Sequence, residues 1–199
     1  MTGILPARAK HDFDMVAGTQ GVFRLLLDAL ANPGRPVDIR RQANQFAANG
    51  KWLALALTLL DNECGFYWDG PSEAGEEMRF LTGSRIVPLE NADFIFLSSD
   101  KNEAEKILPQ VKGGTHLDPH DSALLFVAGE GRAEHSLTLK GPGIPPEGRC
   151  VSLSASEAAW IKAMDAQRFE YPCGVELVFL REDNSLLAIT RKAAVTWPM

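Results

Sequence analysis

The chain has 199 residues, with 20 Lys+Arg against 26 Asp+Glu and a formal net charge of −6 at pH 7. Hydrophobic residues make up 45% and charged residues 23%, the composition of a chain that packs a core rather than one that stays disordered. An acidic chain whose only adjacent basic pairs are Arg40-Arg41 and Arg191-Lys192 has no electrostatic footprint for nucleic acid.

The length fits one domain, since domains run to roughly 100–200 residues. The longest apolar run, Trp52 to Leu60, is far short of the about 20 residues a membrane span needs. Residues 1–14 lack an apolar signal-peptide stretch and carry Pro6, His11, Asp12 and Asp14. They are expected to form a mobile leader, with a single domain over 15–199. Cys64, Cys150 and Cys173 are an odd number without C-x-x-C spacing. That pattern predicts free thiols in a reducing compartment, hence a cytoplasmic protein.

Val22, Phe23, Leu26, Leu27 and Leu30 recur at helical spacing and predict one wide apolar stripe. Asn32-Pro33-Gly34 stops that helix. Val37 to Ile39 reads as a short strand, and residues 50–61 as a helix apolar nearly all round. Strands follow at 65–68 and, more briefly, at 79–81 before Thr82-Gly83. The run at 93–97 predicts a buried strand, and Ser98-Ser99-Asp100 a cap for a helix over 101–108. Residues 112–121 read as irregular, and 122–128 as a strong apolar strand. The alternating segment 136–140 is expected to pair with it and to end at Gly141-Pro142-Gly143.

A Pro/Gly-rich loop follows at 144–150. Ser154 with Glu157 forms a capping-box pattern for a helix to about Arg168. Tyr171 to Gly174 reads as a turn, and 176–180 with 186–190 as a closing hairpin. Helices alternating with strands predict an α/β fold with a mixed sheet.

Motifs that declare a site on their own are missing: no G-x-G-x-x-G, G-x-x-x-x-G-K-[ST], H-E-x-x-H or G-x-S-x-G occurs. The cluster His116 to Asp121 has the ligand types of a metal site. Pro119 breaks its helical spacing, so no metal is assigned and a polar loop is the simpler reading. Gly113-Gly114-Thr115 either presents backbone N–H groups to an anion or is a plain turn. No His is locally spaced to activate Cys64 or Cys173, so both are read as buried, inert thiols. Arg79, Arg85, Arg168 and Arg191 stand near strand or turn ends, where guanidinium groups commonly bind carboxylate or phosphate. Trp52, Trp68 and Trp160 are read as core, and Trp197 as either a docked tail or a partner anchor.

The block from Phe23 to Gly34 resembles the opening helix and N-P-G stop of the PhnH family, a subunit of the bacterial carbon–phosphorus lyase system. Further blocks match in order: Leu57 to Asp61, Phe80 to Gly83, Leu137 to Ile144, Tyr171 to Leu177 and Leu187 to Arg191. The chain departs from the family at Pro119-His120, where Pro-Glu is usual, and at Glu176, where Asp is usual.

The resemblance implies a shortened pyridoxal-phosphate-dependent transferase fold without the cofactor. It also implies a homodimer when isolated, and membership of a core complex with other lyase subunits. That complex forms alpha-D-ribose 1-phosphonate 5-triphosphate from ATP and a phosphonate, while another subunit cleaves the carbon–phosphorus bond. No catalytic residue carries over, and a non-catalytic assembly role is expected. The matched motifs nominate Asn32, Pro33, Gly34, Gly141, Pro142, Gly143, Pro172, Gly174 and Arg191 as interface or cleft residues. The rival reading is a stand-alone enzyme or binding protein for a small phosphorylated ligand, built on Gly113, Gly114, His116 and the arginines.

Overall fold

The computed structural model describes residues 11–98, 103–167 and 169–198. Of the expected leader, residues 1–10 lie outside the described set. Residues 11–14 belong to the fold: His11 bridges to Phe46, and Phe13 is buried.

The first helix, α1 (Ala17–Ala31), starts where Asp14 accepts the N–H groups of Val16 and Ala17. Val22, Leu26 and Ala29 face the core, but Phe23 and Leu27 remain 46% and 48% exposed. The expected single stripe is thus split between core and surface. The short elements β1 (Val37–Asp38) and α2 (Arg40–Ala43) lead to α3 (Gly50–Leu59). Every residue of α3 from Trp52 to Leu57 is buried, as its all-round apolar pattern requires.

Next come β2 (Gly65–Trp68), α4 (Ser72–Thr82) and β3 (Arg85–Ile86). The strand expected at 79–81 is instead the last turn of α4. Ala74, Gly75 and Met78 are buried at helical spacing, and Gly83 stops the helix at φ 75°. Then β4 (Phe94–Leu97) precedes α5 (Ala104–Ile107). The described part of the helix expected at 101–108 is one turn, continued by a 3-10 turn at Leu108–Gln110; most of its expected cap lies outside the described residues.

The remaining strands are β5 (Leu124–Gly129), β6 (His135–Lys140) and β7 (Arg149–Leu153), then β8 (Glu176–Arg181), β9 (Ser185–Ile189) and β10 (Ala194–Thr196). Between β7 and β8 lies α6 (Ala155–Gln167), which opens with the expected reciprocal cap. Glu157 accepts the Ser154 N–H at 3.0 Å, and Ser154 accepts the Glu157 N–H at 3.2 Å.

Seven strands form a mixed sheet in the order β1-β9-β8-β5-β4-β2-β3. Strands β3, β2, β4, β5 and β8 run parallel, while β9 and β1 run antiparallel to their neighbours. The segment 135–140 does not pair with β5, whose two edges are taken by β4 and β8. It is the centre of a separate sheet, β10-β6-β7. Its partners carry little local signal: the loop expected at 144–150 overlaps the first two residues of β7, and no strand is expected at 151–153 or over β10.

Alternation along the central strands makes two cores. Phe96, Phe126 and Val178 pack with α1 and α3 on one face. Ile95, Leu125, Val127, Leu177 and Phe179 pack with α6 and the small sheet on the other. No described helix is long and apolar enough to cross a membrane.

Candidate functional site

The nominated residues gather into two neighbouring joints. In the first, Asn32-Pro33-Gly34 leaves α1 and crosses onto the small sheet. Gly34 has φ 78°, donates its N–H to the Ala188 carbonyl at 2.8 Å, and lies so close that a Cβ would sit 2.6 Å from Val151 Cγ2. Only glycine meets both demands. Gly143 presses against the end of α1, where a Cβ would lie 2.0 Å from the Ala31 carbonyl oxygen. Gly141 packs on the Lys192 backbone. Arg149, on β7, donates to the Asn32 and Pro33 carbonyls. Its cation satisfies acceptors left open at the end of α1. Arg149 was missed in the sequence because it lies more than a hundred residues from its acceptors.

The second joint is built on Arg191, just beyond β9. Its Nε donates to Glu176 Oε1 at 2.8 Å, and its backbone N–H to Glu176 Oε2 at 2.8 Å. The rest of the guanidinium reaches the Pro119 and Pro172 carbonyls and the Ser122 hydroxyl. One cation therefore ties together the segments before β5 and β8 and the segment after β9. Gly174 donates its N–H to the Gly113 carbonyl at 2.7 Å. Gly114 has φ 73° and backs onto Pro119, and Thr115 donates its N–H to the Asp118 carbonyl. Gly113 and Gly114 are thus placed in a turn supporting this joint.

Beside the second joint lies a cleft of about 260 Å³. Met164, Phe169, Val175 and Val195 give it apolar walls, with Asp165 and Cys173 also lining it. Cys64 and Cys173 are half-buried rather than buried as expected, and Cys150 is exposed. His116 Nε2 lies 3.5 Å from Glu170 Oε2, and His120 Nε2 lies 3.7 Å from Asp121 Oδ1. Among the described residues no group of three His, Cys, Asp or Glu is placed to hold a metal ion.

Arg79 pairs with Glu76, and Arg85 donates to the Glu63 carbonyl; Arg168 lies outside the described residues. Trp52 and Trp160 are core and Trp68 is half-buried. Trp197 is docked on the second core with the Lys162 ammonium 4.8 Å from its ring. Burial pushes the Lys51 amine below its usual range, against the opposing pull of Glu182 and Asp183. Its Nζ donates to the Leu180 and Arg181 carbonyls at 3.3 and 3.2 Å.

The family model described as bacterial phosphonate metabolism protein (PhnH) matches residues 11–196, nearly the whole chain. The chain belongs to that family. No curated protein matches it.

Proposed function

We propose that this protein is an assembly subunit of the carbon–phosphorus lyase core complex. In this reading it supports formation of alpha-D-ribose 1-phosphonate 5-triphosphate from ATP and a phosphonate, and another subunit cleaves the carbon–phosphorus bond. The observation that carries the reading is the family match over residues 11–196, which spans both cores and both joints. Two features support it. The motif residues Gly34, Gly143 and Arg191 work inside the fold, locking chain segments together. Large apolar side chains also stand at the surface, among them Val16, Phe23 and Leu27 on or beside α1. Exposed apolar side chains clustered in this way mark association surfaces.

The fold is read as a shortened pyridoxal-phosphate-dependent transferase without the cofactor, acting in the cytoplasm and dimeric when isolated. Light scattering of the isolated protein tests the dimer, which has a mass of about 43 kDa for two chains of 21.7 kDa. Co-expression with the remaining core subunits tests the assembly role: the protein enters a much larger particle. A species unchanged in their presence overturns the reading.

A further inference from the structure

The outer side of α1 carries large apolar side chains that the fold leaves open. Phe23 and Leu27 are 46% and 48% exposed, and Val16, at the start of the helix, is 80% exposed. Positions 16, 20, 23 and 27 recur at intervals of four and three residues, so they form one stripe along the helix. Gln20 is exposed within it, and the neighbouring Thr19 hydroxyl is turned back on its own chain, donating to the Met15 carbonyl at 2.8 Å. The 15 residues of α1 extend about 22 Å at about 1.5 Å per residue, so a crossing at mid-helix has two turns on either side.

Charge selects what can cover this stripe. The chain carries −6, yet residues 12–41, which include α1 and its flanks, hold four acids and four bases. Within α1 the charged residues are Arg24 and Asp28. Around it, Asp14 accepts the Val16 and Ala17 N–H groups, Arg35 pairs with Asp28 and Arg40 with Asp38, while Asp12 and Arg41 are exposed with opposite signs. Two copies of an acidic chain repel over most of their surface, and a neutral apolar face is where they can meet. Arg24 and Asp28 lie one turn apart and edge the same flank of the stripe. An antiparallel crossing of two α1 helices about a two-fold axis near residues 25 and 26 sets Phe23 of each against Leu27 of the other. The same axis brings Arg24 of each copy beside Asp28 of the other, so two ion pairs form at once. The Asp28 carboxylate has acceptor sites for both Arg35 and this second guanidinium. From this self-complementarity we infer that the outer face of α1 is the surface on which two copies of this chain pair. The inference rests on the dimer proposed above and names its contact.

The test is light scattering of the isolated protein over a dilution series, with circular dichroism as the check on folding. Phe23→Ser and Leu27→Ser each remove one apolar contact from the stripe. Arg24→Glu sets like charges against Asp28; Arg24 is exposed, so this variant keeps the test decisive where a serine variant misfolds. The wild type is expected to be a dimer, and each variant to raise its dissociation constant about tenfold or more. Variants that pair as tightly as wild type overturn this inference and leave the dimer standing on another face. A wild type that stays monomeric overturns the inference and the dimer together, and loss of the same variants from the co-expressed particle then assigns α1 to another subunit. The assembly reading is decided separately, by whether the wild type enters that particle.

Discussion

Arg181 and Glu157 form a charged pair almost wholly removed from solvent, with side chains 9% and 0% exposed. The pairing is two-pronged: Nε to Oε1 at 2.8 Å and Nη2 to Oε2 at 2.9 Å. Arg181 also donates to the Ser152 carbonyl, and Glu157 caps α6 through the Ser154 N–H. Both carboxylate oxygens and two of the three guanidinium nitrogens are thus hydrogen-bonded, the kind of pairing under which a buried ion pair is tolerated. Glu157→Ala strands the guanidinium and is expected to cost about 3–5 kcal/mol in chemical denaturation. Replacing both residues with apolar ones is expected to cost far less than the two single changes together. Equal, additive losses would show that the two side chains act independently.

Asp93 offers a test by pH. Burial alone raises its carboxyl, but the Gly65 N–H and the Lys112 ammonium hold it lower, and the net position is below 3.8. Its folded value is depressed, so the stabilisation is complete above the unfolded value and is lost as pH falls through the folded one. Asp93→Asn is therefore expected to be less stable than wild type at neutral pH. The gap is expected to close only below pH 3.8. Urea titrations across that range measure it, and a gap unchanged in strong acid would assign the effect to something other than the carboxylate charge.

At the scale of elements, the fold depends on how α1 ends. Gly143→Ala places a methyl group 2.0 Å from the Ala31 carbonyl oxygen at a φ of 75°. No rotamer relieves a clash with backbone, so either α1 or the 141–143 turn must move. The expected loss is at least about 1–3 kcal/mol, read from the melting of Gly143→Ala beside wild type. A variant as stable as wild type would mean the turn is free to shift.

That junction also marks what was legible in the sequence. The stops Asn32-Pro33-Gly34 and Gly141-Pro142-Gly143 could be read, because proline and glycine act through their own backbones. Their meeting across more than a hundred residues could not, nor could the role of Arg149 between them. The same division runs through the strands. The hairpin β8–β9 was visible because it closes locally, whereas β6 was given the wrong partner because both of its neighbours carry weak local signals. Arg79-Phe80-Leu81 misled as a strand because three apolar-flanked residues carry no period; the buried Ala74, Gly75 and Met78 set the helical one. For the candidate site, the sequence names both Arg191 and Gly174, and the structure places them along one cleft. The cleft beside them depends on α6 and β10, which only tertiary packing brings there.

At the scale of the whole molecule, the question is whether two cores behave as one. Each is large: the buried side chains of α1, α3 and α4 belong to the first, and those of α5, α6 and the small sheet to the second. The central strands, however, belong to both. In β5, Phe126 faces the first core while Leu125 and Val127 face the second; in β8, Val178 and Leu180 alternate with Leu177 and Phe179. Such a strand cannot lose its packing on one face and keep its register on the other. The layers are therefore expected to unfold together. Trp52 reports on the first core and Trp160 on the second, so variants retaining one or the other separate the two signals. Coincident denaturation midpoints for both variants, matching the loss of secondary structure, are the expected result. A Trp160 transition at lower denaturant would mean that α6 and the small sheet detach first. The second joint and its cleft, built partly from α6 and β10, would then be a separable layer rather than part of one rigid surface.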